Sequence, residues 1–112
     1  MTKDSSPTSQ LLELRRGVIV LATLSQLQIP RYGYGLLQRL EQAGVAVDAG
    51  TLYPLMRRLE KQGILESYWD TAETRPRKYY QLSTEGQSLY AELLTEWQRT
   101  TTNIQQMIQG EI

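Results

Sequence analysis

Cysteine and histidine are both absent from this 112-residue chain, and their absence excludes several classes of chemistry. Without cysteine the chain has no disulfide and no thiol nucleophile, and without histidine it has no imidazole for acid–base catalysis. Zinc sites built from these two residue types are excluded for the same reason. Carboxylates and tyrosines remain, but the sequence shows no catalytic pairing and no glycine-rich loop suited to cradling a phosphate. We therefore expect no enzymatic activity, no metal and no cofactor.

Long hydrophobic runs are also missing. The longest, from Val18 to Leu24, is interrupted by Thr23, whereas a membrane-spanning helix needs about 18 apolar residues. The first ten residues, MTKDSSPTSQ, are polar and lack the apolar segment of a secretory signal peptide. The sequence therefore predicts a cytoplasmic protein that does not interact with a membrane.

The formal net charge is zero, which by itself argues against a strongly basic nucleic-acid-binding protein. The charges are unevenly distributed, however. Between Arg31 and Tyr80 the chain has eight basic and six acidic residues, whereas from Gln81 onward it has Arg99 alone against four glutamates. The chain thus combines a modestly basic middle with an acidic tail.

The clearest helical pattern lies between Asp48 and Gly63, in the segment DAGTLYPLMRRLEKQG. Four apolar residues recur at the spacing of one helix face: Leu52, Leu55, Met56 and Leu59. Asp48 is suited to the N-cap, and Gly63 to the position just past the C-terminus. The outer face and its flanks carry Tyr53, Pro54, Arg57, Arg58 and Lys61. A helix of this kind fits the major groove of DNA, and the alternative is a surface helix with a solvated charged face.

Two further helices are predicted before this segment. The first, residues 10–27, becomes apolar on nearly every side from Val18, so it should be buried in the domain or against a partner. The second, residues 33–43, ends at Gly44 and should bury Leu36, Leu37, Leu40 and Ala43. Two helices joined by a short turn predict a helix-turn-helix. Pro54 lacks an N–H, which predicts that the helix containing it is bent or begins later.

After Gly63 the apolar period changes to two, which predicts a β-hairpin. Its strands are residues 64–69 and 77–82, joined by the turn-like segment DTAETRP. On the second strand Lys78, Tyr80 and Leu82 share one face. A hairpin directly after a helix-turn-helix is typical of the wing of a winged helix, and its basic residues can meet phosphates or enter a minor groove. Those basic residues are Arg75, Arg77 and Lys78. The alternative interpretation is a solvated hairpin with ordinary surface charge.

The last predicted element is a helix from residue 84 to about residue 109, with Thr84 and Gln87 as a capping box. At 1.5 Å per residue it is about 39 Å long, more than the small preceding domain can cover. One seam has heptad-like spacing: Tyr90, Leu94, Trp97, Thr101, Ile104 and Ile108. The partner of this seam is either the first helix of the same chain or, more in keeping with the apolar first helix, a second copy. Small Thr100 and Thr101 leave space beside Trp97 for a ligand.

Several blocks of the sequence resemble the PadR family of bacterial transcription regulators. They are LRRGVIVLATL, YGYGLLQRLE, GTLYPLMRRLEKQGILES and RPRKYYQLSTEGQ, and the resemblance extends from Leu14 to Trp97. The combination of GTLYPLMRRLEKQG with RKYYQLSTEG at this distance is specific. Two features depart from the family pattern: Gly35 stands where a larger, often acidic residue is usual, and the wing loop has no glycine.

The resemblance implies a homodimeric winged helix-turn-helix repressor that binds a pseudo-palindromic operator on double-stranded DNA. It also implies release by a small molecule, such as a phenolic acid or a hydrophobic drug. By the same resemblance, Tyr32, Tyr34 and Tyr53 contact phosphates, Lys78 is a wing contact, and Thr51, Pro54 and Arg57 face the groove. The single tail helix is similar to the short branch of the family, in which a Trp at the position of Trp97 helps to form an aromatic-binding pocket between subunits.

The sequence thus predicts an α+β fold, mainly helical with a small β-hairpin. Residues 1–9 are expected to be a flexible arm, residues 10–83 a winged-helix DNA-binding domain, and residues 84–112 a dimerisation helix. Two alternatives to the ligand-controlled repressor stay open. One is a DNA-binding repressor controlled by protein level or by a partner protein, and the other is a winged helix that contacts only proteins. The salt dependence of duplex-DNA binding separates the winged helix that contacts only proteins from the two DNA-binding repressors.

Overall fold

The computed structural model describes residues 7–112, which form four helices and a small antiparallel sheet. In chain order the elements are α1 (Pro7–Ser25), β1 (Arg31–Tyr32), α2 (Gly33–Gln42), α3 (Ala49–Lys61), β2 (Leu65–Asp70), β3 (Arg77–Leu82) and α4 (Thr84–Ile108). The three strands lie in the order β1-β3-β2. The predicted α+β class, with a helix-turn-helix followed by a hairpin, is confirmed.

Helix α1 begins at Pro7, three residues earlier than predicted. A proline fits the first turn of a helix because its missing N–H would have no partner there. The rest of the predicted arm, residues 1–6, lies outside the described residues. The helix also ends early, at Ser25, where the amide of Leu27 donates to the carbonyl of Leu24 at 3.1 Å and tightens the turn. Among the helices that the structure describes, none has the length and apolar character needed to cross a membrane.

Helices α2 and α3 form the predicted helix-turn-helix. The backbone of Gly44 has a φ of 84° and that of Gly63 a φ of 80°. Each helix is therefore followed by a glycine in the left-handed region. At the start of α3 the Asp48 carboxylate accepts a hydrogen bond from the amide of Thr51 at 2.8 Å, which confirms the predicted N-cap. Because α3 begins at Ala49 and continues through Pro54, the later start, one of the two alternatives given for Pro54, is excluded.

The core lies between the helix-turn-helix and the sheet. The predicted inner face of α3 is confirmed, and α1, α2 and the strands complete the cluster. Its buried members are Leu24, Leu27, Leu36, Leu40, Leu52, Leu55, Met56, Leu59, Leu65, Tyr80 and Leu82. Ala43 was expected on the inner face of α2 but is exposed, because it is the C-cap residue where the chain leaves the helix.

Strand β1 is a two-residue element that the sequence pattern did not predict. Arg31 pairs with Tyr80 and Tyr32 with Tyr79, so the strand joins the free edge of β3. The pairing fixes the start of α2 against the wing, because β1 runs directly into that helix. Strand β2 begins one residue later than predicted, at Leu65.

Ser83 caps α4 and ties it to the rest of the domain. The Ser83 hydroxyl accepts a hydrogen bond from the amide of Gly86 at 2.9 Å and donates to the carbonyl of Gly63 at 2.6 Å. The amide of Ser83 also donates to the carbonyl of Ile64 at 3.0 Å. The predicted capping box on Thr84 is therefore wrong by one position. The buried Ser83 is the N-cap residue because its hydroxyl forms hydrogen bonds both with the helix and with the neighbouring loop.

Only the first half of α4 packs on the domain. Leu89, Tyr90 and Leu93 contact the core, and α4 packs against α1. From Thr95 onward every residue is exposed. The radius of gyration is 16.7 Å, whereas a compact chain of this length has about 13 Å. The end of α4 thus projects from the domain with its apolar side chains in solvent.

Candidate nucleic-acid interface

A groove of about 590 Å³ opens between the start of α2, the outer side of α3 and the wing. It brings together many of the residues predicted to contact DNA: Tyr32, Tyr34, Tyr53, Arg57, Arg75, Arg77 and Lys78. Gly33, Pro76 and Tyr80 complete the lining. These residues come from four elements and a loop, so the fold assembles a basic and aromatic surface that no single segment contains.

The other predicted contacts lie on α3 outside this groove. Pro54, Arg58 and Lys61 are exposed along the helix. Thr51 is also exposed, and it lines a second groove of about 790 Å³ between α1 and the turn from α2 to α3. The outer surface of α3 is therefore exposed from its first turn to its last, as insertion into a DNA groove requires.

Two glycines allow the tyrosines to pack closely at the start of α2. A Cβ on Gly33 would lie 3.0 Å from Cε1 of Tyr53, and a Cβ on Gly35 would lie 3.0 Å from Cε1 of Tyr32. Gly35 thus leaves room for the ring of Tyr32. Tyr32 is the N-cap residue of α2 and makes no side-chain capping hydrogen bond. The positive end of the α2 dipole therefore lies beside the groove, a favourable place for an anion.

Arg77 is held by a stack of aromatic rings on the outer face of the sheet. Its guanidinium lies 4.6 Å from the ring centroid of Tyr32, a cation–π contact. Tyr32 contacts Tyr79 with ring centroids 5.8 Å apart, and Tyr79 stacks on Tyr68 at 5.7 Å and 12°. Sequence reasoning missed Tyr68 and Tyr79. The period-two alternation of the hairpin predicts that Tyr79 shares the face of Arg77, but only the β1 pairing brings Tyr32 beside them.

Lys78 lies on the opposite face of the wing and has a partner within the protein. Its Nζ is 3.3 Å from Oε1 of Glu60 on α3 and 5.2 Å from the ring centroid of Tyr80. Oε2 of the same carboxylate accepts a hydrogen bond from the hydroxyl of Ser67 on β2. Glu60 and Ser67 were not among the predicted site residues, because the contact joins positions distant in sequence.

The protonation of this pair follows from its contacts. Partial burial lowers the pKa of Lys78, but the hydrogen bond to Glu60 and the interactions with Tyr80 outweigh it, so the pKa lies above its ordinary value. The hydrogen bond from Ser67 lowers the pKa of Glu60, partial burial opposes this, and Lys78 adds to the lowering. Both groups are therefore charged at neutral pH, and the charge of Lys78 is compensated inside the protein.

The predicted dimerisation residues follow one side of α4 out of the domain. Tyr90 and Leu94 are half-buried, whereas Trp97 and Ile104 are each 48% exposed and Ile108 is 74% exposed. On α1 a second set of large apolar side chains is exposed: Leu11, Leu12, Leu14 and Val18. Among residues 7–112 no three acidic, His or Cys side chains gather as ligands for a metal ion.

Comparison with known proteins agrees with this geometry. Residues 20–92 match the PadR-like family of transcriptional regulators. The crystal structure of a PadR family transcriptional regulator from Eggerthella lenta is 44% identical, with a TM-score of 0.82 over 90% of each chain. The crystal structure of a Streptococcus transcriptional regulator is 31% identical, with a TM-score of 0.76 over 88% of this chain and 96% of the other.

A relative in sequence is the transcriptional regulator Rv3488 of Mycobacterium tuberculosis. It is 36% identical over 61 residues, which are 54% of this chain and 57% of the relative. The family match includes the helix-turn-helix, the wing and the first two turns of α4. The chain therefore belongs to the PadR-like family of transcriptional regulators, and its fold is the DNA-binding winged helix of that family.

Proposed function

We propose that this protein represses transcription as a homodimer bound to a pseudo-palindromic operator. The observation that carries the proposal is the groove in which the outer side of α3 meets the basic wing and the start of α2. In this arrangement α3 enters the major groove, and Thr51, Pro54 and Arg57 face the base edges. Arg58 and Lys61 flank it toward the backbone. The overall charge is zero, so attraction to DNA depends on a local basic surface such as this one.

In the proposed complex, the residues around α3 contact phosphates of the DNA backbone. The side chains of Tyr32, Tyr34 and Tyr53 lie at the groove, beside the start of α2, which has no side-chain cap. In the complex, the tyrosine hydroxyls and the positive end of the α2 dipole therefore contact the same DNA backbone. The guanidinium of Arg77 is fixed on the ring of Tyr32, which reduces the entropy lost when it binds a phosphate. Arg75 lies in the loop just before it.

The homodimer is proposed from the unpartnered apolar side chains of both terminal helices. Residues 84–112 act as the dimerisation helix, and its exposed seam is expected to pack on a second copy, together with the exposed part of α1. Burial of one Ile or Leu contributes roughly 1.5–3 kcal/mol, so the set is large enough for a stable dimer. A cytoplasmic location, where an operator is accessible, belongs to the same proposal.

An aromatic effector is the second part of the proposal. Trp97 is half exposed, so it is not an anchor of the domain core; it either anchors the dimer or lines a pocket between subunits. We favour the pocket because Thr100 and Thr101 leave space beside the ring. A flat ligand there lowers operator affinity by its differential binding to the two dimer forms, about 1–3 kcal/mol.

The DNA-binding proposal predicts the effect of Arg57→Ala. Operators are first selected from a random duplex pool with the wild-type protein, and affinity is then measured against salt. If Arg57 reads a base edge, its loss weakens binding by about 1–3 kcal/mol for each half-site and relaxes specificity at one position of each half-site. The matched control is Arg99→Ala on α4, which removes an exposed arginine paired with Glu96.

Equal affinities for wild type and Arg57→Ala, with specificity unchanged, would rule out this docking of α3. Duplex binding by the wild type that is weak and insensitive to salt would favour the protein-interaction alternative instead.

The effector proposal predicts a tryptophan-specific response to planar aromatic dyes. Fluorescence of the wild type should be quenched on titration, and Trp97→Ala, in which Trp69 is the remaining emitter, should show no such quenching. Trp69→Phe is the matched control and should retain it. The same dye should weaken operator binding by the wild type. Dye that binds without changing operator affinity would identify a repressor controlled by other means, with Trp97 as a dimer anchor.

A further inference from the structure

One carboxylate connects the helix proposed to read DNA with both strands of the wing. Glu60 lies near the end of α3, and its two oxygens have different partners. Oε2 accepts the hydrogen bond from Ser67 on β2, and Oε1 pairs with Lys78 on β3 at 3.3 Å. The side chains of Lys78 and Glu60 are 31% and 32% exposed, so solvent and salt screen this pair less than a fully exposed one.

The other cations of the wing have no such partner. The guanidinium of Arg77 rests on the ring of Tyr32, and among the described residues Arg75 forms no ion pair. A phosphate that approaches the ammonium of Lys78 also approaches the carboxylate of Glu60, which lies 3.3 Å from it. Like-charge repulsion would then offset much of the gain.

We propose that Glu60 is a positioning residue that fixes the wing against α3 and removes Lys78 from the cations available to DNA. Arg75 and Arg77 then supply the phosphate contacts of the wing. The inference rests on the proposed function and changes it at one point, because family resemblance assigns the wing contact to Lys78. Glu60 sets how many phosphates the wing neutralises.

The salt dependence of operator affinity tests this assignment, since each phosphate neutralised adds about 0.9 to the slope of log K against log salt concentration. Lys78→Met keeps the aliphatic packing and should leave the slope unchanged, whereas Arg75→Gln should lower it by about 1.8, because the dimer loses one phosphate contact in each subunit. Glu60→Gln should raise it by about 1.8, because Lys78 is released in both subunits. The double variant Glu60→Gln/Lys78→Met should return the slope to that of the wild type.

The matched control is Glu66→Gln. This substitution removes the same charge from a neighbouring position on the hairpin, but Glu66 lies on the outer face, where it contacts Gln81. If Glu60→Gln and Glu66→Gln change the salt slope equally, the change comes from net charge alone, and the proposal is overturned. It is also overturned if Lys78→Met lowers the slope by about 1.8 while Glu60→Gln leaves it unchanged.

Hydrogen exchange tests the positioning role without DNA. Amides of β2 and β3 near Ser67 and Lys78 should exchange about tenfold faster in Glu60→Ala than in Glu66→Ala, because only the former releases the wing from α3. Equal rates would overturn the positioning role even if the protein binds its operator. A wild type that binds no duplex but shows this difference in exchange would instead overturn the proposed function.

Discussion

The Gly86→Ala variant is expected to lose about 4 kcal/mol or more of unfolding free energy, enough to leave much of the protein unfolded. A Cβ at this position would lie 2.0 Å from the carbonyl oxygen of Ile64, and the obstacle is backbone. That carbonyl cannot move without further loss, because it accepts a hydrogen bond from the amide of Ser83. The start of α4 would have to move away from the loop before β2. The hydrogen bonds that Ser83 forms with the helix and with this loop would then be lost.

Gly17→Ala is the matched control, since it makes the same substitution in another helix. A Cβ on Gly17 meets nothing within 4 Å, so alanine should stabilise α1 by about 0.8–1 kcal/mol through its higher helix propensity. Chemical denaturation at one fixed protein concentration compares the two variants with the wild type, because dimerisation makes apparent stability concentration-dependent. A Gly86→Ala protein as stable as the wild type would show that α4 does not pack on this carbonyl as described.

The helices were predictable because their signals are local. The stripe of α3, its Asp48 cap and the glycine after its end all lie within one segment, and the structure has each where the sequence predicts it. The wing was predictable for the same reason, from its period of two and the turn between its strands. The resemblance to the PadR family added the expected assembly and the expected contact residues, not the order of these elements.

What the sequence could not provide is contact between distant segments. Strand β1 exists only because Tyr32 meets Tyr79 across the fold, and two residues are too few for a pattern. Ser83 and Thr84 are both good N-cap residues, and the carbonyls of Gly63 and Ile64 decide between them. Pairing of Lys78 with Glu60 likewise depends on how the hairpin folds back on α3. In the candidate site, residue types were predictable and their partners were not.

Ile104→Glu is expected to abolish dimerisation and, with it, tight binding to the operator. The residue lies on the exposed seam of α4, and two-fold symmetry places the new carboxylate in the interface twice. Burying an unpaired charge among apolar side chains costs several kcal/mol, so the dimer dissociation constant should rise about a thousandfold or more. Sedimentation velocity at micromolar concentration should then show monomers in place of dimers.

Loss of operator affinity follows from geometry. Two recognition helices must meet half-sites about 34 Å apart, and a monomer can occupy only one of them. Gln106→Glu is the matched control, because it adds the same charge about 200° around the helix from the seam. That variant should remain dimeric and bind as the wild type does, apart from a small electrostatic loss. An Ile104→Glu protein that stays dimeric would place the interface away from the end of α4, and the separation of the recognition helices would have to be set by α1 alone.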